Sequence, residues 1–169
     1  MKVSELLKSD WTAKADFTGP RVHNDMILAI NTTPGTANVK VSDYAVVQIQ
    51  IEGTDAQLNP ETSEKVYIRS GKNTNKTGTQ RSFSVTGERY IGDEAQDFML
   101  SHEIKYGSGS DVITDYAYFD MLTGKGEKGT VAIIVNSDGG GDASSGLEID
   151  VELMQNGGNP TKFTYSATA

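Results

Sequence analysis

Leu147-Glu148-Ile149-Asp150-Val151-Glu152-Leu153-Met154-Gln155 is the stretch on which the fold turns. Apolar and charged residues alternate in it with period two, the period of a half-buried strand, whereas a helix of period 3.6 would scatter Leu147, Ile149, Val151 and Leu153 around its axis. One face is therefore aliphatic and packs on a core. The other presents Glu148, Asp150 and Glu152, and no Lys or Arg intervenes to relieve them. An ordinary solvated face is the plain reading. The sharper one is a wall of negative charge, because several such strands side by side would repel a polyanion and let it slide past without sticking.

The residues on either side keep the β texture. Thr130 to Asn136 is an almost continuous apolar run, as expected of a strand covered on both faces, and Val112 to Leu122 supplies Tyr116, Tyr118, Phe119 and Met121. Gly124 to Gly129 and Ser137 to Gly146 read as turns, and Pro160 to Tyr165 as a terminal strand after Gly157-Gly158. Upstream, Met26 to Ile30, Val39 to Ile51, Lys65 to Ser70 and Arg81 to Ile91 carry strand signals, separated by a polar Gly53 to Ser63 and by Gly71 to Gln80. The last of these has only Lys, Asn, Thr, Gly and Gln, so nothing in it packs, and it reads as a long hairpin tip or an interaction loop. The period changes once: Asp93 is an N-cap with Gln96 three residues on, and Ala95, Phe98, Met99 and His102 share one face of a helix over 94–102.

Seven or eight strands with one short helix predict a mainly β protein, a sandwich or barrel with the helix packed against it. A chain of 169 residues holds one core, and that core can be large enough to need no staple. We expect an N-terminal arm over 1–22 and a single β domain over 23–169, with the 71–80 loop extended. In the arm, Gly19-Pro20 stops any continuation of a helical turn at Ser4 to Lys8, and Leu6, Leu7, Trp11 and Phe17 need apolar partners, either in this chain's core or in another copy.

Composition closes several functional classes. There is no cysteine, which removes disulfide frameworks, thiolate metal sites and cysteine nucleophiles together. A formal charge of −8 argues against a surface that grips phosphates. No apolar run reaches the roughly 20 residues of a membrane helix, so the expectation is a soluble protein made in a cytoplasm, with no membrane partner. The two histidines, His23 and His102, stand far apart. Asp138 and Asp142 flank Gly139-Gly140-Gly141 without the spacing of a calcium loop, and Asp111, Asp115 and Asp120 lack a partner for acid/base work. No nucleophile elbow, phosphate loop or zinc helix occurs. The expectation is no catalytic residue, no metal, no cofactor and no enzyme.

The order of these elements resembles the tail-tube (major tail) protein family of long-tailed bacteriophages. The likeness is carried by Met26 to Ile30, by a strand ending near Ile51-Glu52-Gly53, and by Phe83-Ser84-Val85-Thr86-Gly87-Glu88-Arg89-Tyr90 leading into Asp93 to His102. It continues through Asp115 to Met121, Gly126-Glu127-Lys128-Gly129 before Val131 to Asn136, and Leu147 to Gln155. The resemblance implies a subunit that forms hexameric rings, stacked into a tube through which DNA leaves the particle without specific binding. It also implies tape-measure, tail-terminator or baseplate proteins as partners, and a place in a virion tail assembled in the host cytoplasm. On that reading Glu148, Asp150 and Glu152 face the lumen, and Leu6, Leu7, Trp11, Lys72 and Lys76 are candidate ring-to-ring contacts. Contractile tails, non-contractile tails and secretion tubes share the plan; a non-contractile virus tail is preferred. The rival reading is a β-sandwich binding module, an adhesin or carbohydrate-binding domain, with Tyr90, Tyr116 and Tyr118 as its platform.

Overall fold

The computed structural model describes residues 1–167; Thr168 and Ala169, the end of the expected β domain, lie outside the described residues. In chain order the elements are helix α1 (Val3–Leu6), strands β1 (Met26–Ile30), β2 (Ala45–Val46), β3 (Ile51–Gln57), β4 (Glu61–Tyr67), β5 (Gly71–Gly78) and β6 (Ser82–Glu88). Helices α2 (Glu94–Met99) and α3 (His102–Tyr106) follow, then β7 (Ile113–Asp120), β8 (Lys125–Ser137), β9 (Glu148–Gln155) and β10 (Thr161–Thr164). One antiparallel sheet runs in the order β2-β1-β7-β8-β9-β6-β3, with β10 alongside the first residues of the long β8; β4 and β5 form a separate two-stranded sheet. The mainly β fold expected from the sequence is the fold found.

The alternation of β9 works as its sequence demands. Ile149, Val151 and Leu153 are buried, and join Phe83, Val85, Tyr116, Val131 and Ile133 on the concave side of the sheet. Helices α2 and α3 close that side with Ala95, Met99, Leu100 and Ile104. At roughly 1.5–3 kcal/mol for each large apolar side chain buried, this cluster is the main source of stability. A second cluster lies on the other face of β1 and β7, where Ile27, Ala29, Ala117 and Phe119 meet Val3, Leu7, Tyr44, Val46 and Tyr165.

Several elements differ from the sequence reading. Val39 to Ile51 is not one strand: β2 has only two residues, and Gln48–Gln50 turns a corner, with Gln50 at φ 54° and Ile51 N–H donating to Gln48 O. The corner is clamped from below by the fully buried Gln96, whose amide donates to Ile49 O at 2.7 Å and to Glu88 O at 3.1 Å. The polar stretches read as loops form strands instead. Gly53 to Gln57 belongs to edge strand β3, and β4 and β5 pair with each other in solvent, so no apolar alternation marks them. The expected helix over 94–102 breaks at Leu100 and restarts, so that Ile104 enters the core and His102 is exposed. Finally, β8 is covered on both faces only in part, and Ile134 is 40% exposed.

Candidate functional site

Each carboxylate of β9 has a defined neighbour. Across β6, Glu148 stands opposite Glu88, Asp150 opposite Thr86 and Glu152 opposite Ser84; across β8, Glu152 stands opposite Ile134 and Asp150 opposite Ser137. On β3, Asp55 continues the row through Ser84. The convex face of β3, β6 and β9 therefore carries Asp55, Glu88, Glu148, Asp150 and Glu152, while Ser84, Thr86, Ile134 and Ser137 between them bring no positive charge. Glu52, Glu88, Glu148 and Asp150 line one shallow depression on it. Gly87, opposite Ile149, lets the Gln50–Ile51 corner come close to β6, because a Cβ there would collide with Gln50 O and Ile51 Cα. Glu52, Asp55 and Glu88 extend the acidic face beyond the three residues of β9. Glu88 lies in a stretch read as strand, but Asp55 lies in one read as a polar loop, and which strand lies beside β9 was not readable.

The candidate contact residues lie in two places. Leu7 is buried, and Leu6 and Trp11 are half-buried against the second cluster. Trp11 donates its indole N–H to Met121 O at 2.9 Å, and its ring meets Tyr165 edge-on at 5.5 Å. The segment after it is tied down as well: Lys14 N–H donates to Leu122 O, and Arg21 pairs with Asp120. Lys72 and Lys76 sit on β5, with Lys72 2.6 Å from Glu64 across the hairpin. That hairpin is exposed along its length, and its tip holds Val66 and Ile68 at 77% and 89% exposure.

Groups that chemistry would use are occupied by structure. Asp115 accepts from the Thr130 hydroxyl, Asp120 accepts from Leu122 N–H and the Thr123 hydroxyl, and Asp138 meets Lys105 at 2.9 Å. The lysine beside it, as hydrogen-bond donor and charge, holds the Asp138 carboxyl below the usual range. His23 reaches Thr54 Oγ1, and His102 packs on Tyr106. Among the described residues no group of three or more His, Cys, Asp or Glu stands ready to hold a metal ion. The three tyrosines of the binding-module reading do not form a shelf. Tyr116 is fully buried with its hydroxyl donating to Glu127, Tyr118 lies under the Arg81 guanidinium, and Tyr90 stands half exposed near α2. Burial, and then the Glu127 carboxylate, push the Tyr116 hydroxyl well above its ordinary pKa; burial and Asp115 push Tyr44 up to about 12.

Compared by sequence, the chain matches no family profile and no curated protein. Compared by structure, it superposes on a chain of a gene transfer agent tail determined with C6 symmetry, with a TM-score of 0.55 at 12% identity, over 87% of this chain and all of that one. A chain of the native gene transfer agent virion gives 0.53 at 11% identity, again over 87% and 100%. This chain has the tail-tube fold. A chain of the anti-feeding prophage cap, which terminates that tube, gives 0.51 at 13% identity over 88% and 94%. The likeness takes in nearly the whole of those chains.

Proposed function

We propose that this chain is the tube subunit of a virus or virus-like tail, a structural protein and not an enzyme, which assembles with itself into stacked rings. The observation that carries the reading is the pairing of a tail-tube fold with a convex sheet face bearing Asp55, Glu88, Glu148, Asp150 and Glu152, with only Ser84, Thr86, Ile134 and Ser137, besides Glu88 itself, at the positions paired with the acidic residues of β9 and β3. In the finer form of the proposal the rings are hexameric and Glu148, Asp150 and Glu152 line the bore. DNA leaves through a non-contractile tail between tape-measure, terminator and baseplate partners. Screening over roughly 8–10 Å keeps the field of such a wall close to it, so DNA is kept off the surface without being driven from the channel. The separate β4–β5 hairpin supports a ring-to-ring role for Lys72 and Lys76: an isolated two-stranded ribbon is marginal in water and gains order from a neighbour. The same proposal treats residues 1–22 as an arm and 23–169, with its extended 71–80 segment, as the domain.

Two measurements test this. Purified protein at rising concentration should give rings or filaments in negative-stain microscopy. The triple variant Glu148→Lys, Asp150→Lys, Glu152→Lys should fold and form tubes yet deliver DNA poorly, since all three residues point away from the concave core. Normal delivery by that variant removes these residues from the bore.

A further inference from the structure

The two ends of the sheet are in unequal states. Edge strand β3 is paired with β6 on one side and, among the described residues, has no strand on the other, where the His23 ring meets the Thr54 hydroxyl. The β2 end is covered. Lys2 forms an antiparallel bridge with Ala45, Val46 N–H donates to Met1 O at 2.9 Å, and Val3 N–H donates to Tyr44 O at 3.0 Å. Immediately after the bridge the chain turns into α1, which sets Val3 and Leu7 into the second cluster. A four-residue helix has no stability of its own. The segment is therefore held by two buried aliphatic side chains and a few backbone hydrogen bonds, an attachment that opens at a fraction of the cost of global unfolding.

Copies that close a ring head to tail meet through two different surface patches, and pairing a free strand edge of one copy with a free edge of the next is one way to join them. Strand pairing across that joint needs a bare backbone edge on both sides. Granting the tube reading on which it rests, we propose that Met1–Leu7 is a displaceable cover of the β2 edge. It pairs with β2 in the free subunit and yields that edge to β3 of a second copy when the ring closes. While it stays in place, one of the two edges is masked, and uncontrolled edge-to-edge growth is suppressed.

The test uses the absence of cysteine. Directly opposed residues of an antiparallel pair lie about 4.5–5.5 Å apart at Cα, within the reach of a disulfide, so Lys2→Cys with Ala45→Cys can lock the cover reversibly. Light scattering and microscopy on one preparation, oxidised and then reduced, should show loss of tubes in the oxidised form and their recovery on reduction. Equal polymerisation of both forms overturns the cover while leaving the tube reading intact. The variant Val3→Asp guards against damage at the buried Ala45, because it loosens the cover without touching the concave core. It should polymerise with a shorter lag and at lower concentration, and an unchanged or longer lag counts against displacement. Failure of the unsubstituted protein to polymerise, even on a tail initiator complex, brings down the tube reading and the cover with it.

Discussion

One face of one sheet meets opposite fates at its two ends. Over β1 and β7 the convex side carries Ile27, Ala29, Ala117 and Phe119, and the chain brings its own beginning and end to bury them: Val3, Leu7 and Trp11 from one, Phe163 and Tyr165 from the other. Over β6 and β9 the same side carries Glu88, Glu148, Asp150 and Glu152, which are exposed or half-exposed, with the Gly140–Gly146 tip beside Glu88 and Glu148. The difference lies in the alternate residues of neighbouring strands and in nothing larger. A sheet face is covered where its outward positions are apolar and left wet where they are charged, because an uncovered apolar face costs free energy and a covered carboxylate costs more. The covered half is thus a stability device and the bare half is available for function.

The sharpest way to break the covered half is Phe119→Ala. Its ring is fully buried, stacks on Tyr165 at 5.4 Å and meets Phe163 edge-on at 5.7 Å. Removing it leaves a cavity between sheet and cover, and denaturant unfolding should show a loss of about 3–5 kcal/mol. Less than about 1 kcal/mol would mean that the cover hardly stabilises the fold. Trp11→Ala comes next. It removes the indole hydrogen bond to Met121 O and the edge contact with Tyr165 while leaving the sheet intact, and should cost about 2 kcal/mol. Because Trp11 is the sole tryptophan, fluorescence of the unsubstituted protein reports on the same site. A fluorescence transition at lower denaturant than the circular-dichroism transition would show that the cover comes away before the sheet melts.

The β9 face was legible in the sequence because Leu147 to Gln155 obeys one period without interruption. Arg81 to Thr86 was legible for the same reason, whereas Met26 to Ile30 was legible as a short apolar run closed by a turn and Val112 to Leu122 by its aromatic bulk. The β4–β5 hairpin was not, since Thr62, Ser63, Asn73, Thr74 and Asn75 face water on both sides and leave no periodic trace of their backbone pairing. Nor was the corner at Gln48–Gln50, where Val47, Ile49 and Ile51 imitate an alternating strand; what bends the chain is the amide of Gln96, distant in sequence and read only as a capping residue. The capping expectation itself held in part: Asp93 accepts from Gln96 N–H at 3.1 Å, but the Gln96 side chain is engaged with Ile49, Glu88 and Tyr90. The acidic face was half visible. Three carboxylates follow from one strand, but Glu88 joins them only through a register that no single strand encodes.

That register supplies the smallest and most specific prediction. Glu88 and Glu148 are directly opposed on the bare face, where like charges destabilise an antiparallel pair. Relieving one of them by Glu148→Gln keeps size and shape, so unfolding measurements should show a gain of about 0.3 kcal/mol at low salt. The gain should fade as salt screens the pair, because both groups reach solvent. The sign matters more than the size. A stabilising substitution at an exposed carboxylate means that the native residue is kept at a cost to the subunit, as the proposal that it lines a bore requires. A loss of stability in Glu148→Gln would make the carboxylate part of the subunit's own structure, as much a stabilising element as the apolar cover over β1 and β7.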